Sequence, residues 1–333
     1  MLRNLVNRHD VARLARKAAH GQLGQVAGKL QVRGTGRVVA HWSATGQPPS
    51  QWWDVPAVQR RWNCFASGDP DVSFPEHVAS KWLRGLTGLR GLSLGCGTGH
   101  RELEWARLGM FGQLTGVDLS PARVEHAGLQ AKATGLDHVL DFRVAHFAEL
   151  LDGREGYDVI LGLQSLHHFS RIDETMRGIA QLLRPGGLLV FDEYVGPSKF
   201  QWTGSQLRAA NALLASLPAP RRVQRDGRVK RRAVRPSLLS MRLDDPSEAV
   251  ESAGLLPALH RWFTVLEERP YGGTVLHIAL SGIAQNFLGD DAETAALLRQ
   301  CFAAEDEAFP RLGHDFVFAV CAPASGAAGA DSR

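Results

Sequence analysis

Between residues 90 and 195 five short runs rich in leucine and β-branched residues alternate with stretches of helical period. This rhythm constrains the fold more than any other feature of the chain. The runs are LSLG near 92–95, QLTGVD at 113–118, HVLDFRV at 138–144, YDVILGL at 157–163 and GLLVFDEYV at 187–195. Strand, helix and strand in succession form the unit of a parallel sheet covered on both faces. An α/β, Rossmann-like doubly wound core is therefore expected over residues 86–197.

The rhythm breaks at residues 198–245, which hold a helix-like stretch around Ser205–Leu217, an arginine cluster and Pro236. They are expected to form an inserted cap between strands five and six. It resumes over 246–323 with a helix at Pro246–Ala253, a strand in 262–273, two helices through about 308 and a last strand at 314–323. The expected sheet has seven strands, mostly parallel with an antiparallel last one. Residues 1–85 precede the core as a helical, aromatic extension. Five of the eight tryptophans, Trp42, Trp52, Trp53, Trp62 and Trp82, fall there. Two readings stand for them: short helices over a pocket, or a small hydrophobic subcore. The Ala/Gly/Ser-rich residues 324–333 read as a disordered tail.

No run of eighteen apolar residues and no secretory leader is evident, so a cytoplasmic location is expected. Cys64, Cys96, Cys301 and Cys321 are far apart with no CxxC spacing. Neither a metal site nor a disulfide framework is expected from them. The net charge of +4 is unevenly placed: eight Arg and Lys residues between 221 and 235 stand against Asp226 alone. Six more lie in the first thirty residues, leaving the remainder net acidic, so no nucleic-acid-binding body is implied. The basic N-terminus reads as a solvated helix or as a weak contact with an anionic membrane surface.

Within the core, LSLGCGTGH (92–100) sets a strand directly before glycines at 95, 97 and 99, and a helix-forming run follows. Glycines are needed where backbone turns sharply or a ligand approaches it closely. A dinucleotide fingerprint spaces them as GxGxxG. Here the third glycine comes one residue early and His100 stands where glycine is wanted, which disfavours a nicotinamide enzyme. Asp118 ends the second run, before a Ser-Pro helix start. A carboxylate there can accept bonds from both hydroxyls of a ribose.

These two segments, with LLRPGGLLVFDEYVGP (182–197), resemble the motifs of class I S-adenosylmethionine-dependent methyltransferases of the small-molecule type. The resemblance is strong over 90–195 and implies S-adenosylmethionine as cofactor. It implies that Gly95, Cys96, Gly97, Thr98 and Gly99 line the methionine and sulfonium, that Asp118 binds the ribose and that Leu119 lies against the adenine. His146 stands where the family often has aspartate, with Phe147 beside it, at the adenine edge. LQSLHHF (163–169) matches the family's small-molecule form and puts Gln164 and Ser165 by the cofactor.

A sulfonium methyl is already activated, so in-line alignment and exclusion of water are the main tasks, and a hydroxyl acceptor also needs a base. Candidates at the carboxyl ends of strands four and five are His167, His168, Glu193 and Tyr194. Asp192 lies beside them, and Tyr271 is a weaker candidate. Alternation puts Asp192 and Tyr194 on one face and Glu193 on the other. The segment after strand four lacks the [DNS]PP[YFW] pattern of amino-directed nucleic-acid enzymes and the paired glutamates of protein-arginine enzymes. The expected acceptor is a small molecule or glycan, methylated on oxygen, with nitrogen or carbon transfer and a non-catalytic cofactor-binding regulator as alternatives. The arginine cluster suits either a phosphorylated or lipid-linked acceptor or a solvated loop.

Overall fold

The structure, a computed structural model, describes residues 50–153 and 156–325. Trp42, the basic N-terminal segment and nearly all of the 324–333 tail lie outside the described residues. Seven strands form one sheet: β1 (Leu89–Leu94), β2 (Phe111–Asp118), β3 (Leu140–Val144), β4 (Tyr157–Leu163), β5 (Leu183–Tyr194), β6 (Phe263–Gly272) and β7 (Phe316–Pro323). Their order is β3-β2-β1-β4-β5-β7-β6. The first five pair in parallel, and β7 runs antiparallel to both of its neighbours. This is the Rossmann-like, doubly wound sheet expected from the alternation.

Successive residues of each strand feed opposite faces, as a pleat requires. Leu189 and Phe191 join one apolar cluster and Val190 and Tyr194 the other, and β7 divides in the same way between Val317 and Phe318. Helices α1 (Pro56–Ser67), α2 (Phe74–Trp82) and α3 (His100–Arg107) cover one face. Helices α4 (Pro121–Ala133) and α5 (Phe147–Asp152) lie toward the β3 edge, and α6 (Ile172–Leu182) covers the opposite face. The tryptophan-rich segment packs Trp53, Trp62 and Trp82 against the main apolar cluster and, among the described residues, makes no separate subcore. It forms short helices, and Trp52, 1% exposed, belongs to the main core. Local chemistry starts these helices: Pro56 opens α1, and Ser73 and Glu76 form a capping box at α2, the Ser73 N–H donating to Glu76 at 2.8 Å.

The segment after β5 carries α7 (Gly204–Ser216) and α8 (Leu238–Asp244). It is tied to the body by buried polar contacts. Gln206 donates to Asp315 at 2.9 Å and to Thr274 at 3.0 Å. Burial pushes the Asp315 carboxyl up to about 7. The expected helix at Pro246–Ala253 is not there. The chain instead makes turns, with Ser247 N–H and Oγ both donating to Asp245 and Ala249 at φ +49°, and the helix, α9, spans Leu255–Trp262. The Asp and Ser side chains compete with helical backbone bonds, which is why such residues favour turns. Helices α10 (Leu276–Leu280) and α11 (Ala292–Leu312) precede β7. Among the described residues no helix is long and apolar enough to cross a membrane.

The arginine cluster does not converge on one point. Lys230 is drawn inward, where its Nζ donates to the carbonyls of Ile278, Ala279 and Ser281 at 2.7–3.0 Å. It thereby holds the last carbonyls of α10, and burial lowers its pKa to about 8. Arg221 pairs with Glu293 and the Asn286 carbonyl, and Arg235 donates to the Trp202 carbonyl. These three side chains serve the fold.

Candidate functional site

Strand order reverses between β1 and β4, and in open α/β sheets a crevice opens at the carboxyl ends of the strands at such a point. The glycine loop leaves β1 there. Gly95, Gly97 and Gly99 have φ of +68°, +55° and +79°, a region that other residues rarely adopt. Space is equally restrictive. A Cβ on Gly95 would lie 2.7 Å from that of Ser165, and one on Gly99 would lie 2.8 Å from that of Ala127. The loop is thus threaded between the segment following β4 and α4, with Thr98 exposed at its tip.

Asp118, at the tip of β2, reaches this loop directly. Its carboxylate accepts the Gly97 N–H at 3.0 Å and the Ser120 N–H at 2.8 Å. Arg123, one turn into α4, lies over the loop, its guanidinium 3.1 Å from where a Gly97 Cβ would be. Burial lowers the Arg123 pKa, opposed mainly by Asp118. Cys96 is buried, and burial, reinforced by Glu102 and Asp118, pushes its thiol well above the ordinary range. It is a packing residue of the loop and not a nucleophile. Leu119 is half-buried beside Asp118. His146 is exposed and caps α5, its Nδ1 accepting the Ala148 N–H at 3.2 Å. Phe147 packs edge-on against Phe169.

Behind the loop, Glu102 is 2% exposed and accepts a bond from Ser93 Oγ at 2.6 Å. Burial pushes its carboxyl up to about 7. Between pH 4.5 and 7 the folded state then holds a proton that the unfolded chain releases, so this group makes stability fall as pH rises. Glu102→Gln keeps the acceptor for Ser93 and removes the titration. Its unfolding free energy should gain on the parent by about 1 kcal/mol per pH unit across that window. Urea unfolding at pH 5, 6, 7 and 8 checks this, and parallel profiles would contradict it.

Across the crevice, the end of β5 divides its side chains as alternation predicts. Asp192 faces the glycine-loop side, accepting from Tyr271 Oη at 2.6 Å, Gln164 Nε2 at 2.8 Å and Arg101 at 2.8 Å. Gln164 sits at φ +55°, a strained backbone position at the end of β4. Glu193 points the other way and is fully buried. It accepts backbone N–H bonds from Ser165 at 2.7 Å and Leu166 at 2.6 Å, a longer one from His167, and the His167 Nδ1–H at 2.7 Å. These bonds make Glu193 the brace of the 165–168 turn rather than a base open to an acceptor. Tyr194 Oη donates to the Pro197 carbonyl, and burial pushes its pKa well above the ordinary range.

His167 is held by Glu193 and approaches Glu248, its Nε2 3.6 Å from Oε1. Burial works against its charged form, but Glu193 first and then Glu248 and Asp245 outweigh it, and its pKa is raised. His168 lies beside it at 4.3 Å between ring centroids, with Nδ1 3.2 Å from Ser247 Oγ. On the far side of Tyr194 stands His277, ringed by Trp52, Tyr194, Phe200, Trp202 and Phe316 at centroid distances of 5.2–6.0 Å. His277 keeps some exposure although rings surround it, and the polar atoms His277 Nδ1 and Trp52 Nε1 have no hydrogen-bond partner in the structure. Burial drives its pKa down to about 3, so it is neutral.

The structure thus brings the glycine loop against Asp118 and Ser165 and bonds Gln164 to Asp192. His167 and His168 lie in the turn that follows, with Tyr194 6.3 Å from the His167 ring. Arg101, Arg123, Asp245, Glu248 and His277 were not singled out from the sequence. Their roles depend on contacts with distant segments.

Comparison with known proteins agrees with this geometry. Residues 92–189 match the family model described as a methyltransferase domain. A ubiquinone biosynthesis O-methyltransferase of Brucella ovis is 32% identical over 148 residues, 42% of this chain and 57% of the relative. The same-named protein of Rhizobium leguminosarum bv. trifolii is 36% identical over 109 residues, 33% of this chain and 42% of that one. The match therefore spans 57% of the length of the first relative and 42% of the second. Among solved structures it is similar to an S-adenosylmethionine-dependent methyltransferase from Geobacter sulfurreducens (16% identity, TM-score 0.43, 86% of this chain and 98% of that one). It is also similar to the [4+2]-cyclase SpnF (21%, TM-score 0.43, 75% and 80%). The family match thus places a methyltransferase domain over residues 92–189, within the seven-stranded sheet.

Proposed function

We propose that the protein binds S-adenosylmethionine and transfers its methyl group to an oxygen of a small-molecule acceptor. The observation that carries this reading is the bond from the Gly97 N–H to Asp118, which joins the glycine-rich loop to a carboxylate at the strand-order reversal. The absence of a Cβ at Gly95 and Gly99 lets the loop pack directly on Ser165 and Ala127, and the Asp118 carboxylate bonded to that loop suits the diol of a ribose. Gly95 to Gly99 would hold the methionine end, Asp118 the ribose, Leu119 the adenine face, and His146 with Phe147 the adenine edge. The bound cofactor supplies an activated methyl, so the chain's own residues need only position the acceptor, exclude water and take a proton.

For the proton, His167 is the favoured group. Glu193 fixes its Nδ1–H and leaves Nε2 as the acceptor atom. Glu193 is then a positioning residue, and Tyr194 contributes a wall. The names of the curated relatives support oxygen as the methylated atom. A phosphate-bearing acceptor gains little support from the basic segment, since Lys230, Arg221 and Arg235 are engaged with the fold.

Incubation with methyl-labelled S-adenosylmethionine and a panel of hydroxylated aromatic and aliphatic compounds tests the reading. The expected result is S-adenosylhomocysteine release matched by a methyl ether. Release with methylated amines or carbon centres, or no turnover with any acceptor class, would contradict it.

A further inference from the structure

The turn after β4 and the turn after α8 bring together a ligand set that spacing along the chain does not reveal. One ring nitrogen each of His167 and His168 and one carboxylate oxygen of Glu248 lie within 4.8 Å of one another. We propose that these three side chains bind a first-row divalent metal ion, zinc foremost, with a fourth position left for water or an acceptor oxygen. Two imidazoles and a carboxylate are a donor set suited to such ions, and three protein ligands with one open position is the usual form of a reactive zinc site.

Two features beyond proximity support the assignment. His167 donates its Nδ1–H to the buried carboxylate of Glu193 at 2.7 Å, which presents Nε2 as a lone pair. A second carboxylate holding the far nitrogen is the arrangement that orients and strengthens metal-binding histidines. The second feature is rigidity of the partner turn. The Val250 N–H donates to the His167 carbonyl at 3.1 Å, so the segment carrying Glu248 is bonded to the histidine it faces. Asp245 Oδ2 lies 3.9 Å from His168 Nδ1, and Ser247 Oγ lies between hydrogen-bond reach of both residues, 3.2 Å from that nitrogen and 2.6 Å from Asp245 Oδ1. Tetrahedral ligands at zinc bond lengths sit about 3.4 Å apart. His167 Nε2 and Glu248 Oε1, at 3.6 Å, already meet this spacing.

The four widely spaced cysteines give no expectation of a metal, and none of them takes part here. The set escapes a reading of ligand spacing because Glu248 is eighty residues from the histidines and reaches them through the inserted segment. The proposal rests on this geometry and not on methyl transfer. An ion on His167 Nε2 replaces the proton that this nitrogen takes in the metal-free protein, so with the ion bound His167 is a ligand and not the base. The test needs neither cofactor nor acceptor.

The full chain, dialysed against a chelator, is titrated with zinc chloride by calorimetry and by competition with a chromophoric chelator. One equivalent should bind. His168→Ala and Glu248→Gln should each weaken binding by about tenfold or more, and the double variant should abolish the specific site while keeping the parent's circular dichroism. Absence of stoichiometric zinc binding would mean that His167 carries only a proton shared with its carboxylates, and would overturn the proposal. So would zinc binding that survives the double substitution. A protein that binds zinc yet transfers no methyl group would leave this site standing and count against the proposed function alone.

Discussion

Glu193→Ala should lower the unfolding free energy by about 3–5 kcal/mol, the range for removing one partner of a fully buried charged network. The carboxylate lies inside β5 with no exposed surface and accepts from three successive backbone N–H groups and from His167. Truncation leaves those donors in the interior without acceptors, and each orphaned donor costs about 1–3 kcal/mol. Glu193→Gln retains one acceptor oxygen but turns an NH2 group toward donors, so it should fall between alanine and the parent. Urea unfolding followed by tryptophan fluorescence measures both. A loss below about 1 kcal/mol for alanine would show that the 165–168 turn does not depend on this side chain.

Asp118→Ala should weaken S-adenosylmethionine binding by at least about a hundredfold. Two charge-assisted bonds to a ribose, at roughly 1.5 kcal/mol or more apiece, amount to that factor. The same substitution frees the Gly97 and Ser120 N–H groups that the carboxylate now holds, loosening the loop before the cofactor arrives. Asp118→Asn keeps acceptor capacity for one of them and should lose less. Calorimetric titration checks both variants, with unfolding midpoints confirming that they remain folded. An alanine variant that binds within about threefold of the parent would remove Asp118 from the cofactor site.

Much of this was legible in the sequence because it depends on local rules. Strand and helix periods read directly as parallel units. The early third glycine sets the loop apart from a dinucleotide fingerprint, and alternation alone assigns Asp192 and Glu193 to opposite faces. The misplacement of a helix at Pro246–Ala253 arose where Asp245 and Ser247 bond to each other and Lys199 donates to the Ala249 carbonyl, contacts that no periodicity reports.

The same limit governs roles at the site. Glu193 reads in sequence as one more candidate base, and only its backbone donors from the neighbouring strand's end reveal it as a brace. Lys230 looked like part of a phosphate-binding cluster until the end of α10 supplied three carbonyls for its ammonium. His277 gains its character from rings contributed by four separate segments of the chain. In each case residue type was visible and the partner was not.

The central claim is that the loop at Gly95 to Gly99 and Asp118 form a cradle for S-adenosylmethionine. Parallel calorimetric titrations of the full chain with S-adenosylmethionine, S-adenosylhomocysteine and NAD test it most directly. The account predicts one site per chain for the first two and no heat of binding with the third. Binding of NAD without S-adenosylmethionine would contradict it.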